Sequence, residues 1–394
     1  MGDIGAGGRE LTVQNELDFE SDLIFPLERR HNHASCVVEL PNGDLLVCWY
    51  RGSGEREADD VEILGARLRA GAEDWSRPFL MADTPGYPDC NPCMFLDGVN
   101  RLWLVYVTIL ANEWHTALLK SRSSHAYRLG IAPRWDSSEV LHVTPGEEFV
   151  AAVNAACDAE EARLGEITGD HRHISTYLSA RRVHAGDKLY RRLGWMPRAH
   201  ATLLSDGRLV LPLYSDGFHF SIMLLSDSHG LEWHASMPLV SLGGIQPSVV
   251  ERRGGTLVAY MRDNGPPPKR VMISESHDRG ETWTTPLDTD IPNPGSGLEA
   301  IRLASGRWLM VCNDTESGRH RLSLLVSDDE GRTWKRARCL EDDATATGAG
   351  WHSYPSVIQS HDGSIHVTYS YHLSGSEKSI KWAHFSEAWL LSSP

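Results

Sequence analysis

No run of about 18 apolar residues occurs in the sequence, so nothing in it reads as a transmembrane helix. The opening MGDIGAGGRELTVQ lacks an apolar signal-peptide segment, and a cytoplasmic location is expected. Cysteine is sparse and odd in number, 7 in 394 residues, which fits free thiols better than a disulfide framework. Basic residues are outnumbered by acidic ones, 38 to 53, for a net charge of −15. Phosphate binding needs the opposite sign, so neither nucleic acid nor an anionic membrane is an expected partner. There is no G-x-G-x-x-G, P-loop or H-E-x-x-H, and no cofactor is expected. Cys90-Asn-Pro-Cys93 is a lone C-x-x-C with no second pair, so it does not read as a zinc site. His31 and His33 alternate and so share one strand face, where hydrogen bonding to substrate or water is the more ordinary role than metal binding.

What is present is repetition. Hydrophobic residues at 41% and charged residues at 23% mark an ordinary globular chain, long enough for two domains or one repetitive domain. A tight turn followed by an apolar strand recurs six times, at Gly43, Gly98, Gly207, Gly255, Gly306 and Gly363. Successive copies lie 48 to 57 residues apart, except for one gap of 109. Each copy holds short runs rich in Val, Leu, Tyr and Trp between Gly, Asn, Asp and Pro turns. Six copies of a four-strand unit predict an all-β, six-bladed β-propeller. The blades are expected at roughly 26–80, 81–144, 193–240, 241–290, 291–340 and 346–390. The long gap holds another texture at 145–192, where Phe149, Val150, Val153, Ala156, Cys157 and Leu164 fall near helical spacing ahead of a basic stretch. It predicts a helical insertion between blades 2 and 3, either a surface elaboration or a rim beside the substrate mouth.

A second repeated element follows most turns by about 25 residues. Ser276-His-Asp278-Arg-Gly280-Glu-Thr282-Trp283 and Ser327-Asp-Asp329-Glu-Gly331-Arg-Thr333-Trp334 both read S-x-D-x-G-x-T-W, and Ser226 to Trp233 is a variant with Ser228 at the Asp position. Weaker relics end at Trp75 and Trp135. Gly permits the tight turn, Asp or Ser caps its N–H groups and Trp packs between blades, so the element is expected to be structural. With two full copies at blade spacing, the sequence resembles the Asp-box (BNR repeat) sialidase superfamily from about Arg30 to Trp389, apart from the insertion. The resemblance implies a six-bladed propeller, a carbohydrate substrate and glycosidase activity.

Innermost strands of a propeller start near its axis, and that position is sampled nine residues before each turn glycine. It yields Asp89, Arg198, Gln246 and Tyr354, with Ala34 beside His33 in the first blade and Gly297 ahead of Glu299 in the fifth. Asn91 lies in the same segment as Asp89. Polar residues recurring at such a position suit a concave site rather than an apolar core. The family resemblance assigns roles to several of them. Of the three arginines that hold a substrate carboxylate in sialidases, Arg262 resembles the second and Arg319 the third. His33 stands where the first would be, and Arg198 is the candidate replacement. Tyr354 resembles the catalytic tyrosine, while Gln246 occupies the place of its partner glutamate. Glu299 then becomes the candidate base, and Asp59 resembles the acid/base aspartate. Three readings remain open: a glycosidase on a terminal acidic sugar, a uronate-eliminating lyase using Tyr354 or His33, and a glycan-binding propeller without catalysis.

Overall fold

A computed structural model describes residues 19–165, 172–343, 350–373 and 376–392. Six four-stranded antiparallel sheets form the expected β-propeller. Blade 1 consists of His31–Glu39, Leu45–Gly52, Glu62–Leu68 and Phe79–Ala82. Blade 2 consists of Asp89–Leu96, Leu102–Ile109, Ala117–Ser124 and Ser137–Val140. Blade 3 follows the insertion with Thr202–Leu203, Leu209–Ser215, Phe220–Ser226 and His234–Ala235. Blade 4 is Gly244–Glu251, Leu257–Asp263, Arg270–Ser276 and Leu287–Pro292, and blade 5 is Glu299–Arg302, Trp308–Cys312, Arg321–Ser327 and Lys335–Asp342. Blade 6 takes Trp351–Gln359, Ile365–His372 and Lys378–Phe385 from the end of the chain, and its outermost strand, Glu20–Leu23, from before blade 1. That strand pairs antiparallel with Lys381–His384 and closes the ring. It escapes sequence reading because ESDL is short, acidic and largely exposed.

The six turns share one geometry. The N–H of Gly43, Gly207, Gly255, Gly306 and Gly363 donates to the carbonyl three residues back at 2.8–2.9 Å, with φ between 81° and 91°. In blade 2 this position belongs to Asn100, with φ 58° and a bond to Asp97 O of 2.9 Å, rather than to Gly98. Asn tolerates the left-handed region better than most side chains, which is why the repeat survives without glycine there.

The Asp-box elements form staples between blades. Ser276 Oγ accepts from Gly280 N at 2.9 Å, Asp278 Oδ1 accepts from Thr282 N at 2.9 Å, and Trp283 Nε1 donates to Gly280 O at 2.9 Å. Ser327, Asp329 and Gly331 repeat the first two bonds, and in blade 3 Ser228 Oγ takes the aspartate's part by accepting from Glu232 N at 2.8 Å. Each staple docks on the preceding blade. Gly230 lies against Trp103, Gly280 against Leu225 and Val210, and Gly331 O accepts from the Tyr260 hydroxyl at 2.8 Å.

The insertion has three helices, α1 (Glu147–Gly165), α2 (Arg172–Gly186) and α3 (Lys188–Arg192). Phe149, Val153, Cys157 and Leu164 of α1 join Leu178 and Ala185 of α2 in the main core, beside Trp195, Phe218 and Phe220. The insertion is thus packed onto blade 3. Among the described residues no helix is long and apolar enough to cross a membrane.

Gly331 offers a direct check of the staple. Its φ is 80°, and a methyl group there would overlap the Tyr260 hydroxyl and the Trp308 ring, whereas Gly255, at φ 83°, has nothing within 4 Å. Both Ala variants incur the left-handed backbone cost of about 1–2 kcal/mol. Gly331→Ala is expected to lose about 1–3 kcal/mol more from overpacking. Equal losses in urea unfolding would contradict the inter-blade role.

Candidate active site

Innermost strands start, and the second strands end, at one mouth of the ring. Four blades carry the same irregularity there. Ala34, Asn91, Gln246 and Tyr354 have φ of 50–56°. At these residues the pairing slips, between His33 and Cys36, Cys90 and Cys93, Ile245 and Ser248, and Ser353 and Ser356. Each is a β-bulge with a left-handed residue, a device that re-aims a side chain. Proline follows in three of them, at Pro92, Pro247 and Pro355, and removes a backbone donor where the ladder is broken.

Tyr354 is the centre of the resulting cluster. Its hydroxyl oxygen accepts from Arg262 Nη1 at 2.7 Å and from Gln246 Nε2 at 3.1 Å. The Arg319 and Arg198 guanidiniums lie 5.3 and 5.1 Å from its ring centroid, and the His33 ring lies at 4.3 Å. Burial pushes the phenol up, but Arg262 and Arg319, with the Gln246 amide, bring it below the ordinary tyrosine value. A phenolate is therefore favoured by positive charge and donors rather than by an adjacent carboxylate. Gly297 forms the floor, since a Cβ there would come within 2.9 Å of Gln246 Oε1 and 3.7 Å of the Tyr354 ring.

Around this centre, His31, His33, Glu55, Arg319, Trp351, His372 and Lys378 line a cavity of about 520 Å³. Lys378 Nζ donates to His31 Nδ1 at 2.8 Å, which leaves the His31 Nε2 hydrogen facing Glu55 Oε1 at 3.1 Å. Tyr50 also donates to Glu55, at 2.9 Å. Burial pushes Glu55 up, and these partners outweigh it, so the carboxylate sits below its usual range. His33 is pushed well down by burial and by His372, His31, Arg319 and Arg198, and its Nδ1 has no partner. It is a neutral imidazole and supplies no cation where the resemblance would place the first arginine. Asp216, just past Leu209–Ser215, is raised by burial, with Arg262 and Arg56 opposing.

The candidate residues separate into two groups. Tyr354, Arg262, Arg319, Gln246 and His33 are brought together, and Asn91 joins them through Nδ2 donation to the Tyr214 hydroxyl at 3.0 Å. Arg198 is buried beneath the tyrosine, donating to Ser35 O at 3.3 Å and Pro355 O at 2.7 Å. It ties the bulges of blades 1 and 6 together rather than opening onto the cavity. Asp59 is exposed at the rim and accepts from Asn112 Nδ2 at 2.9 Å, while Glu55 is the acid of that loop that turns inward. Asp89 corrects an offset. Counted from the true turn residue, Asn100, the axis position is Asn91, and Asp89 instead accepts from Thr108 Oγ1 at 2.5 Å in the packing between blades 1 and 2. Glu299 is likewise not the partner of the phenol. Its oxygens accept from His200 N at 2.8 Å, His200 Nδ1 at 2.7 Å and Val357 N at 2.8 Å. It lines a separate cavity of about 560 Å³ bordered by Val38, Glu39, Ile358 and Gln359, the far ends of the innermost strands.

Sequence reading passed over Glu55, Tyr50, Tyr214, Asp216, His219 and Asn264. Most lie where second strands end, and a second strand running antiparallel to the first must finish at the mouth where the first begins. Sampling both positions in every blade would have found Asp216 and Asn264. Among the described residues no group of three or more His, Cys, Asp or Glu is arranged to hold a metal ion.

The BNR repeat-like domain profile matches residues 43–367. No curated protein matches the sequence. Among solved structures, a protein of unknown function from Dyadobacter fermentans superposes with a TM-score of 0.66 at 16% identity, covering 93% of this chain and 98% of that one. The NanB sialidase of Streptococcus pneumoniae gives 0.65 at 12% identity over 91% of this chain and 69% of that one. An α-L-arabinanase of Penicillium chrysogenum gives 0.59 at 12% identity over 93% and 97%. Identities this low establish a shared fold and leave the substrate open.

The Glu299 geometry yields a stability test. Burial alone would lower His200, but Cys36 and Glu299 hold it well above 6.5, and its Nε2 lies 2.8 Å from Val37 O. A raised folded value stabilises fully below pH 6.5, and that contribution is lost as pH rises through the folded value. Glu299→Gln removes the partner of a buried charge and is expected to cost about 3 kcal/mol or more at neutral pH. It should also weaken the alkaline loss of stability seen in urea unfolding across the pH range. A variant as stable as the parent but devoid of activity would return Glu299 to the chemistry.

Proposed function

This chain belongs to the BNR repeat-like family of sialidase-like propellers, and from that premise we propose that it is a glycoside hydrolase acting on a terminal acidic sugar of a glycan. The arginine pair carries the reading. Arg262 and Arg319 reach one tyrosine, and neither pairs with a carboxylate among the described residues, although the chain has 53 acidic residues. Arg262 Nε is buried without a partner, and Arg319 has a carbonyl at 3.0 Å and a distant serine hydroxyl at 3.5 Å. Desolvated cations without an ion-pair partner are costly, and a ligand carboxylate spanning both forks would supply one.

In this reading the carboxylate is held by Arg262 and Arg319 and the anomeric carbon is presented to Tyr354. The tyrosine oxygen forms a bond to that carbon while the bond to the leaving oxygen breaks, and Asp59 gives that oxygen its proton. Water then cleaves the glycosyl–tyrosine bond, with Asp59 taking back a proton. Gln246 donates to the phenolate instead of accepting its proton, so activation is electrostatic. A neutral residue in place of one arginine and an amide in place of the base argue against ordinary sialosides as the preferred substrate.

One observation favours a second reading. His33 is neutral, has an unpartnered Nδ1 and lies with its ring centroid 4.3 Å from that of Tyr354, which leaves a nitrogen to accept the proton next to a uronate carboxylate. Elimination gives an unsaturated product that absorbs in the ultraviolet, and hydrolysis does not.

Arg262→Ala and Arg319→Ala are each expected to weaken binding of an acidic sugar by about 1.5–3 kcal/mol. The methyl ester of that sugar should be affected far less, and calorimetry with both ligands checks the difference. Equal losses for acid and ester would remove the carboxylate from the reading. Turnover of a fluorogenic sialoside is expected well below about 10 per second, the median for enzymes. Asp59→Asn should impair poor leaving groups far more than activated aryl ones. If Asp216→Asn shows that pattern instead, Asp216 is the proton donor.

A further inference from the structure

An unbroken series of contacts joins the helical insertion to the phenol of Tyr354. On α2, Arg181 is buried against Tyr177 and Phe220, with its guanidinium 4.2 and 5.4 Å from their ring centroids. Arg181 Nη2 donates to the Tyr177 hydroxyl at 2.7 Å and to His219 O at 3.3 Å, and the Tyr177 hydroxyl reaches Phe218 O at 3.5 Å. Two helical side chains therefore clamp the turn joining Leu209–Ser215 to Phe220–Ser226. His219 sits in that turn with φ 53°, a conformation that the clamp and the 2.7 Å bond from its N–H to Ser215 O hold in place.

The bonding polarity from His219 onward is fixed by chemistry. Arg262 Nη2 donates to Asn264 Oδ1 at 3.2 Å, and a guanidinium has no acceptor. Asn264 must then turn its NH₂ toward His219, whose Nδ1 lies 3.3 Å away and must accept. His219 is pushed down to about 4 by burial and by Arg181 and Arg262, so its ring is neutral in the working range, as acceptance at Nδ1 requires. The other arm of the Arg262 fork, Nη1, holds the Tyr354 oxygen at 2.7 Å.

We propose that the helical insertion is the support that aims Arg262 at Tyr354, with His219 as the positioning residue acting through Asn264. His219 makes no hydrogen bond to the phenol, whose partners are Arg262 and Gln246. The proposal requires only the contact of Arg262 with Tyr354, so it stands or falls independently of the sugar reading.

The test reads the ionisation of Tyr354 and needs no substrate. Tyr354 is lowered, whereas Tyr50, Tyr106, Tyr177, Tyr214, Tyr260, Tyr369 and Tyr371 are all raised, so in a spectrophotometric tyrosinate titration its step precedes theirs. Subtracting the Tyr354→Phe curve isolates it. His219→Gly keeps the left-handed turn and removes the acceptor; His219→Asn keeps the turn and returns an amide oxygen near the place of Nδ1. His219→Gly, Asn264→Ala and Arg181→Met are each expected to raise the Tyr354 midpoint by about one pH unit, and His219→Asn to leave it near the parent value. Circular dichroism first confirms that each variant is folded. If α2 does not tolerate Arg181→Met, Asn264→Ala decides the matter, because it removes the acceptor of Arg262 directly. An unchanged midpoint in folded His219→Gly, Asn264→Ala or Arg181→Met overturns the proposal, as does a full shift in His219→Asn.

Discussion

The left-handed residue opening four of the innermost strands is the constraint on which the site depends. A regular strand turns alternate side chains to opposite faces, and in a propeller both faces of a blade are covered by neighbouring blades. Only a break in that alternation lets a tyrosine, an asparagine or a glutamine point along the axis toward the mouth. The bulge provides the break, at a backbone cost of the order of 1–3 kcal/mol for each non-glycine residue in that region. Proline after three of the bulges and the Arg198 guanidinium across two of them hold the arrangement. Arg198 is thus a bracket for the floor on which Tyr354 stands.

Above that floor the charges are unevenly arranged. Arg319 and Lys378 share the cavity with Glu55, while Asp216 lies outside its lining, near Arg262. Glu55 is occupied by His31 and Tyr50 and kept ionised; Asp216 is desolvated and pushed toward its protonated form. Two carboxyls whose environments push them in opposite directions are a recognised basis for separating acid and base roles. The same environment neutralises His33 and His219, so that both act as hydrogen-bonding rings and neither adds to the positive charge.

The repeat was legible because each blade must solve the same local problem. A left-handed turn calls for Gly, and a staple calls for Ser, Asp, Gly and Trp at fixed offsets. The number of blades, the place of the insertion and the axis positions of Tyr354 and Gln246 followed from counting those offsets, whereas Arg262 and Arg319 came from the family resemblance alone. The same counting failed at Asp89, because asparagine can take the turn conformation and Gly98 beside it drew the count two residues away. It also failed at Glu299, where a polar residue near the axis serves a buried pair with His200 facing the other mouth. Nothing in local composition tells the two ends of an axis apart. Glu55 was hidden by neighbours, since four acids fall between positions 55 and 60 and only the fold of the loop decides which turns inward.

Closure of the ring by Glu20–Leu23 has a consequence for when the site exists at all. The cavity straddles the seam between blade 1 and blade 6. His31 bonds Lys378, His372 Nε2 lies 2.9 Å from Asn32 O, and Ala34 N and Val37 N donate to Ser370 Oγ and Ser356 Oγ at 3.1 Å. His33 and Tyr354, 321 positions apart in the chain, meet in one ring contact, tilted with centroids 4.3 Å apart. A nascent chain therefore carries half of a pocket until blade 6 has been made and has captured the strand that precedes blade 1. The pocket is a product of circularisation, so any activity it has marks rings that have closed and is silent in those that have not.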